Sequence, residues 1–215
     1  MSQTKKRKTQ VFITGIGTEV GKTIASAIIT EALEADYFKP IQAGDLEYSD
    51  TDKVKGLVTN AKTIFHKNSY ALRMPMSPHA AAVIDGIQIS LDSIEIPHTD
   101  NFLVIEGAGG LLVPLNEEET ILDIIPKEAL VIVVSRHYLG SINHSLMTLQ
   151  LLKDKGFNPI ILFNGDEHST TESIIKSMSK CDVLGRIADE PYFDQNVIRE
   201  YADLFKERLK DLLLL

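Results

Sequence analysis

Short apolar runs alternate along this chain with longer stretches whose apolar residues recur at helical spacing. Several of the runs are apolar at successive positions, which is typical of strands buried on both faces of a sheet. The runs predict six strands, at residues 10–14, 37–40, 101–106, 129–135, 158–163 and 183–187. The longer stretches predict helices at residues 22–33, 141–155, 169–180 and 194–213. This alternation predicts an α/β fold, in which a mostly parallel sheet is flanked by helices on both faces.

The region between residues 42 and 100 is less regular than the rest of the chain. Three prolines interrupt its pattern, and only two short helices are predicted there, at residues 52–58 and 78–84. We interpret residues 1–215 as a single domain, because α/β folds often reach this size as one unit. Residues 1–9 include four consecutive basic residues and are expected to form a flexible N-terminus.

Composition excludes several classes of function. The 22 Lys and Arg residues are outnumbered by 30 Asp and Glu residues, and the resulting net charge of −8 disfavours binding to nucleic acid. Cys181 is the only cysteine, so we expect no internal disulfide and a reducing, cytoplasmic compartment. The longest aliphatic run, at residues 129–134, is about a third of what a bilayer span requires. We therefore expect no membrane association.

A glycine-rich segment follows the first predicted strand and leads directly into a predicted helix. Its sequence, at residues 15–23, is GIGTEVGKT. Glycines allow backbone N–H groups to point at phosphate oxygens, and the helix N-terminus adds a partial positive charge. Lys22 can then reach the terminal phosphates, and the Thr23 hydroxyl can ligate a Mg²⁺ ion held between them.

The segment departs from a strict Walker A pattern in one respect. That pattern would have a glycine at position 16, where this chain has Ile16. The order of strand, glycines, Lys-Thr pair and helix favours nucleotide binding over an ordinary glycine-rich turn. A dinucleotide-binding Rossmann loop is disfavoured, because it does not require the Lys-Thr pair.

Residues 17–23, with the sequence GTEVGKT, resemble the phosphate loop of the dethiobiotin synthetase family, whose pattern is G-T-x-T-E-V-G-K-T. Three further segments are similar to that family in the same order: KPIQAG at residues 39–44, EGAGGLLVPL at 106–115 and LGSINH at 139–144. The SPH stretch at residues 77–79 also resembles a family segment. The resemblance covers most of the chain and implies a P-loop fold.

The resemblance implies an ATP-dependent cyclo-ligase of biotin biosynthesis. In that family, CO₂ adds to 7,8-diaminopelargonate (7,8-diaminononanoate) as a carbamate, ATP phosphorylates the carbamate to a carbamic-phosphoric anhydride, and the second amine closes a cyclic urea. The products are dethiobiotin, ADP and phosphate. The implied cofactor is Mg²⁺, with ATP as co-substrate, and the implied assembly is a homodimer that acts on small molecules.

The resemblance also implies an ATP site built from several segments. Its expected members are Thr18, Glu19, Val20, Gly21, Lys22, Thr23, Ile24, Asp50, Glu106, Gly107, Ala108, Gly109, Asn164 and Gly165. Asn164 resembles the adenine-contacting asparagine of the family, although an Asn-Gly turn would explain the same residues. A second segment near the base is only weakly matched, by Ile187, Ala188 and Asp189.

Two carboxylates are expected to hold Mg²⁺ together with Thr23. Glu106 ends an apolar strand, at the sheet edge where the phosphate loop also emerges. The second carboxylate is Asp50 or Asp52. The resemblance favours Asp50, whose spacing to Val54 and Leu57 best matches that of the family's metal-binding aspartate, whereas Asp52 is suited to cap a short helix.

Lys39 is the candidate catalytic residue, together with Lys22. It lies at the end of the second predicted strand, where ligands of open parallel sheets bind. A compact cation there would stabilise the carbamate and the transferring phosphoryl group. The residues alone leave open whether Lys39 has this role or caps a strand at the surface, and the resemblance favours the first.

The resemblance assigns substrate binding to Ala43, Gly140, Ser141 and Asn143. The last three begin a helix whose N-terminus, with a hydroxyl and an amide, suits a carboxylate, although ordinary N-capping explains Ser141 equally well. In the family, this segment binds the substrate carboxylate across a dimer interface. Ala43 replaces a serine or threonine of many members, so one hydroxyl contact is either missing or supplied by Gln42.

The main alternative is a partitioning-type switch ATPase, which uses a similar loop to control dimerisation and partner binding. That family carries an extra signature lysine early in the loop, where this chain has Gly15, Ile16 and Gly17. The acidic net charge also argues against association with DNA.

Overall fold

The structure is a computed structural model that describes residues 9–213. The basic cluster at residues 5–8 lies outside the described residues, so the flexible N-terminus stays a prediction. The strands are β1 (Gln10–Gly15), β2 (Asp36–Phe38), β3 (Ile41–Ala43), β4 (Tyr70–Leu72), β5 (Leu103–Glu106), β6 (Leu130–Arg136), β7 (Ile160–Asn164) and β8 (Val183–Ile187). The α-helices are α1 (Lys22–Leu33), α2 (Asp50–Leu57), α3 (Pro78–Asp85), α4 (Ser141–Asp154), α5 (Ser169–Ser179) and α6 (Gln195–Leu213), and there are short 3₁₀ helices at Leu91–Ser93 and Ile121–Ile124.

Six of the strands form one sheet in the order β2-β5-β1-β6-β7-β8. Every neighbouring pair in this sheet is parallel. The central strand β1 is fully buried at Val11, Phe12 and Ile13, because helices cover both faces of the sheet. The predicted α/β class and mostly parallel sheet are confirmed.

The helices pack in two groups. Helix α1 packs against α2 and α6, while α4 packs against α5. Because α1 lies between the sheet and α6, it is buried around most of its circumference, which explains why residues 24–33 contain no charge except Glu31. Among the helices of residues 9–213, none has the length and apolar character needed to cross a membrane.

The parallel arrangement brings the carboxyl ends of β1, β2 and β5 to one edge. Phe38 pairs with Ile105, and Ile13 pairs with Glu106. Lys39, one residue beyond β2, therefore reaches the level of Glu106, beside the phosphate loop that follows β1. Ligands of open α/β sheets bind at such an edge.

The structure corrects the prediction for residues 37–40. Strand β2 ends at Phe38, and a new strand, β3, begins at Ile41 and pairs with β4 in a separate two-stranded parallel sheet. Pro40, between the two strands, has no N–H to donate to a ladder, so the chain leaves the main sheet there. The small sheet was missed because its strands have only three residues each.

The short helices begin or end slightly differently from the prediction. Helix α2 begins at Asp50 rather than at position 52, because Ser49 caps it. Helix α3 begins at Pro78 as expected and ends one residue later, at Asp85.

Candidate active site

A cavity of about 770 Å³ opens at the carboxyl edge of the sheet. It is lined by the phosphate loop, the start of α2, Lys39 after β2, the end of β5 with the residues that follow it, and the last residue of β7. Of the expected ATP-binding residues, Thr18, Glu19, Gly21, Lys22, Thr23, Ile24, Asp50, Glu106, Ala108, Gly109 and Asn164 line it, whereas Val20, Gly107 and Gly165 do not.

The phosphate loop is shaped by its last glycine. Gly21 has a φ of 94°, in the left-handed region, and forms the N-cap of α1. A Cβ atom on Gly21 would lie 2.3 Å from Nδ2 of Asn164. Both the backbone conformation and the close approach of Asn164 therefore require glycine at this position.

Lys22 points back along the phosphate loop. Its Nζ donates a hydrogen bond of 2.8 Å to the carbonyl of Gly17, and the residue is buried. Burial, and then the positive charge of Lys39, lower the pKa of Lys22 to about 8. An anion in the loop would replace the carbonyl as partner and restore the charged form.

Lys39 lies at the centre of the buried end of the cavity. Its Nζ is 2.6 Å from Oδ2 of Asp50, 2.8 Å from Oε1 of Glu106 and 3.3 Å from the carbonyl oxygen of Gly107. Burial alone would lower the pKa of Lys39, but the carboxylates of Glu106 and Asp50 outweigh it and raise this pKa above its ordinary value. The ammonium is therefore held charged inside the protein.

Glu106 is held by three side chains at once. Its Oε1 accepts hydrogen bonds from Lys39 and from the Thr23 hydroxyl, the latter at 3.1 Å. Its Oε2 accepts a hydrogen bond of 2.9 Å from the Tyr37 hydroxyl. Tyr37 is fully buried, and burial together with the charge of Glu106 raises its pKa well above the ordinary value, so its hydroxyl stays protonated.

Tyr37 is a site residue that sequence reasoning missed. It stands two positions before Lys39, and side chains two positions apart in an extended segment point to the same side. That period, applied to the predicted strand at residues 37–40, would have placed the Tyr37 hydroxyl beside the Lys39 ammonium.

The two aspartates at the start of α2 have different surroundings. Asp50 lines the cavity, and Lys39 holds its pKa below the ordinary value although burial opposes this. Asp52 instead forms a capping box with Ser49: its Oδ2 accepts from the backbone N and hydroxyl of Ser49 at 2.9 and 2.6 Å. The helix therefore turns Asp50 toward the cavity and Asp52 toward its own N-terminus.

Gln42 is occupied by contacts within the chain. Its Nε2 donates to the carbonyl of Gly44 at 3.0 Å, and its Oε1 accepts from the backbone N of Asp50 at 3.2 Å. It therefore fixes the start of α2. Ala43, its neighbour, lines the cavity without a polar side chain.

At the opposite end of the cavity, Asn164 connects β7 to the phosphate loop. Its Nδ2 donates to the carbonyl of Val20 at 2.9 Å. Arg136 and Asp189 also line this end and form an ion pair of 3.2 Å. Arg136 was missed because, at the end of an apolar strand, it has no motif around it.

Gly140, Ser141 and Asn143 do not line the cavity. Gly140 has a φ of 103° and forms the N-cap of α4, Ser141 is buried, and Asn143 is exposed. Apolar side chains around this helix start are unusually exposed. They are Leu139 (104% exposed), Leu112 (64%), Met147 (61%) and Ile142 (37%).

A second, apolar groove of about 970 Å³ runs between the phosphate loop and α4. Gly17 and Thr18 line one side of it, and His144 and Met147 line the other. Of the exposed apolar residues around the start of α4, Leu112 and Met147 also line this groove.

Two sequence relatives carry the same name and match nearly the whole chain. A family model described as an AAA domain matches residues 9–197. A protein of Christiangramia forsetii named ATP-dependent dethiobiotin synthetase BioD is 61% identical, over 94% of this chain and 98% of its own length. A protein of the same name from Cytophaga hutchinsonii is 45% identical, over 89% of this chain and 94% of its own length.

Solved structures with a similar fold are more distant in sequence. A putative plasmid partition protein of Borrelia burgdorferi, solved with AMPPNP bound, has a TM-score of 0.60 and 13% identity, and the match covers 96% of this chain and all of that one. A ParA family ATPase of Chlorobium tepidum has a TM-score of 0.56 and 11% identity, over 96% of this chain and 99% of that one. At these identities the likeness shows the P-loop fold alone.

Proposed function

Because this chain belongs to the dethiobiotin synthetase family, a family of ATP-dependent ligases, we propose that it closes the ureido ring of dethiobiotin from 7,8-diaminononanoate, CO₂ and ATP. The observation that carries the proposal is the buried ammonium of Lys39, held between Glu106 and Asp50 beside a phosphate loop. This arrangement supplies a cation where an anionic carbamate and a terminal phosphate would meet.

ATP would lie along the cavity, with its phosphates at the N-terminus of α1 and its base near Asn164. Backbone N–H groups of residues 18–24 and the partial positive charge of the helix suit the phosphates. Lys22, now bonded to the carbonyl of Gly17, would turn to the terminal phosphates. The other end of the cavity, lined by Asn164, Arg136 and Asp189, offers hydrogen-bonding groups to a base.

The oxygens of Thr23, Asp50 and Glu106 fit a hard divalent cation. They are one hydroxyl and two carboxylates, and the carboxylates already converge on the positive charge of Lys39. Mg²⁺ favours one or two carboxylates together with phosphate oxygens and water. When bound here, it would neutralise negative charge on the β- and γ-phosphates of ATP.

The proposed reaction has three steps, and the first two place negative charge where Lys39 and Lys22 can stabilise it. One amine of the substrate adds to CO₂ and loses a proton, which gives a carbamate. A carbamate oxygen then attacks the γ-phosphorus, and ADP leaves. Finally the second amine attacks the carbonyl carbon and loses a proton, phosphate leaves, and the cyclic urea is closed.

Lys39 would stabilise the carbamate and the transferring phosphoryl group. To reach them, its ammonium must turn away from at least one of its two carboxylate partners. Lys22 would stabilise charge on the outer phosphates during transfer. Both lysines act by electrostatic stabilisation, which is commonly a large contribution to phosphoryl transfer.

The tail of the substrate would be bound by a second copy of this chain. Ala43 lines the cavity, but Gly140, Ser141 and Asn143 lie outside it. The exposed apolar face around Leu139 and Ile142 is suited to burial between subunits. In the proposed homodimer, the N-terminus of α4 from the partner subunit would complete the site and bind the substrate carboxylate.

The ligase reaction is tested by phosphate release from ATP. Purified protein should release phosphate only when the diamine, CO₂ and Mg²⁺ are all present, with one cyclic urea formed per phosphate. Equal release without the diamine would overturn the proposal.

The shared site is tested by mixing two inactive variants, Lys39→Met and Asn143→Ala. A homodimer with sites built across the interface should regain activity on mixing, because one site of a mixed dimer then has both residues intact. Matched controls are each variant alone and a mixture of Lys39→Met with Asp50→Asn, which damages the same half-site and should stay inactive. Absence of recovery in exchanging dimers would contradict the shared site.

The partitioning-type switch ATPase has less support. Its solved representatives share the fold at 13% and 11% identity, whereas relatives named as dethiobiotin synthetases reach 61%. The proposed ligase needs no nucleic acid or membrane. We place it in the cytoplasm, in agreement with its single cysteine.

A further inference from the structure

We propose that Tyr37 is a positioning residue that occupies one oxygen of Glu106 and thereby leaves a single oxygen, Oε1, for a cation in the active site. The consequence is a preference for Mg²⁺ over Ca²⁺. This inference rests on the proposed function only in treating Glu106 as a metal ligand.

The geometry divides the two oxygens of Glu106 between two kinds of partner. Oε2 is turned toward the core, where it accepts the hydrogen bond from the Tyr37 hydroxyl at 2.9 Å. Oε1 is turned toward the cavity, where it meets the Thr23 hydroxyl and the Lys39 ammonium. Glu106 is 1% exposed, so water has little access to replace Tyr37 at Oε2.

The hydroxyl of Tyr37 has a separable role from its ring. The ring is packed in the core and lies 6.0 Å from the ring of Phe65, and a phenylalanine at position 37 would fill nearly the same space. The hydroxyl, in contrast, has Glu106 as its one hydrogen-bond partner among residues 9–213. Removing it leaves the ring contact and frees Oε2.

Cation chemistry links this division to selectivity. Mg²⁺ requires a compact octahedral shell with short bonds, and it usually takes one oxygen from each carboxylate. Ca²⁺ has a larger and more flexible shell and readily takes both oxygens of one carboxylate. A carboxylate whose second oxygen is held by a buried hydroxyl therefore suits Mg²⁺ and disfavours the two-oxygen mode of Ca²⁺.

The experiment compares the wild type with Tyr37→Phe. Binding of a fluorescent, non-hydrolysable ATP analogue is titrated with MgCl₂ and, separately, with CaCl₂. Loss of one hydrogen bond to a carboxylate corresponds to roughly a tenfold change in an equilibrium constant. We expect the Mg²⁺ concentration at half-saturation to rise about tenfold, while that for Ca²⁺ stays the same or falls.

The matched control is Phe65→Leu, which removes the ring contact of Tyr37 and keeps the hydroxyl. It should leave the ratio of the two half-saturating concentrations unchanged. If Tyr37→Phe and Phe65→Leu weaken binding with both cations equally, Tyr37 has only a packing role and the inference is overturned.

A second measurement does not depend on the folding of Tyr37→Phe. Replacement of Tyr37 by 3-fluorotyrosine keeps the ring and makes the hydroxyl a stronger donor, so the preference for Mg²⁺ should increase or stay at the wild-type level. A decreased preference would overturn the inference. If the wild type bound the nucleotide equally well with and without a divalent cation, the metal site of the proposed function would be overturned too. If instead Tyr37→Phe kept cation dependence and ligase activity but its ratio of half-saturating Mg²⁺ and Ca²⁺ concentrations were unchanged, only the role of Tyr37 would be overturned.

Discussion

Replacement of Lys39 by methionine tests how much the buried ion pairs of Lys39 with Asp50 and Glu106 contribute to the stability of the protein. Methionine keeps most of the length of the side chain and removes the ammonium. Asp50 and Glu106 then lose a partner at 2.6 and 2.8 Å, in a place where the side chains of Lys39 and Glu106 are 5% and 0% exposed. The variant therefore contains buried negative charge without its cation.

The expected loss in the free energy of unfolding depends on which partners each carboxylate keeps. Removing one partner of a buried ion pair typically costs about 3–5 kcal/mol. Glu106 keeps hydrogen bonds from Tyr37 and Thr23. Asp50 is 20% exposed and keeps Lys53 at 3.4 Å. The lower end of the range applies, and we expect a loss of about 3 kcal/mol at pH 7, which a domain of ordinary stability tolerates.

The loss of stability in Lys39→Met should be larger at neutral pH than at acidic pH. Lys39 lowers the pKa of Asp50, so in the wild type this stabilisation is present above the ordinary value of a free aspartate, about 3.9, and is lost as the pH falls through the lowered pKa. The pKa of Lys39 is raised, so its own contribution is lost only at strongly alkaline pH. In the variant, Asp50 lacks the charge that lowers its pKa and is therefore neutralised at a higher pH than in the wild type. The difference in stability should therefore shrink as the pH falls from 7 to 4.

Urea unfolding of the wild type and Lys39→Met at several pH values measures this difference. Lys62→Met is the matched control, because Lys62 pairs with Glu34 at an exposed site and should contribute less than about 1 kcal/mol. A loss below about 1 kcal/mol for Lys39→Met at pH 7, or a loss that is the same at pH 4, would refute the reasoning.

Four further predictions concern the nucleotide site. Lys39→Met should lower the rate of phosphate release by about 10²- to 10³-fold and keep nucleotide affinity, whereas Lys22→Ala should lose both. A comparable loss of affinity for a fluorescent nucleotide in both variants would contradict the assignment of Lys39 to phosphoryl transfer and of Lys22 to nucleotide binding. Because the pKa of Lys22 is about 8, affinity for ATP should fall as the pH rises above 8, and Lys22→Arg should flatten this profile; a flat wild-type profile between pH 7 and 9.5 would count against it. Gly21→Ala should abolish nucleotide binding because its Cβ would lie 2.3 Å from Asn164 at a φ of 94°, and wild-type affinity in equilibrium titration would show that the loop adapts. Asn164→Ala should weaken ATP binding about tenfold by releasing the carbonyl of Val20, and calorimetry that gives an unchanged dissociation constant would contradict this.

Much of the fold could be predicted because its signals are local. Strand β1, with three successive buried apolar residues, and helix α1, after a glycine turn, follow directly from the order of residue types. The small sheet formed by β3 and β4 could not be predicted. A strand of three residues is too short to show an alternating pattern, and 26 residues lie between the two strands that pair. Tertiary pairing, rather than local propensity, decides such elements.

The candidate site also contains residues that a local motif predicts and contacts that only the folded chain shows. The glycines, Lys22 and Thr23 are adjacent in sequence, so their common role can be read from one motif. Lys39, Asp50 and Glu106 come from three distant segments; the resemblance and the ends of the predicted strands place them in one site, but the contact of both carboxylates with the Lys39 ammonium is seen only in the structure. The two-residue period of the strand could have placed Tyr37 on the same side as Lys39, but its hydrogen bond to Glu106 depends on the pairing of β2 with β5.

The most direct test of the central claim follows oxygen atoms through the reaction. CO₂ labelled with ¹⁸O is supplied with the diamine, ATP and Mg²⁺, in a reaction shorter than the exchange of its oxygens with water, and the released phosphate is analysed by mass spectrometry. If a carbamate oxygen attacks the γ-phosphorus beside Lys39, one ¹⁸O atom should appear in each phosphate and the other in the cyclic urea. Unlabelled phosphate, released at the same rate as the urea, would contradict the account.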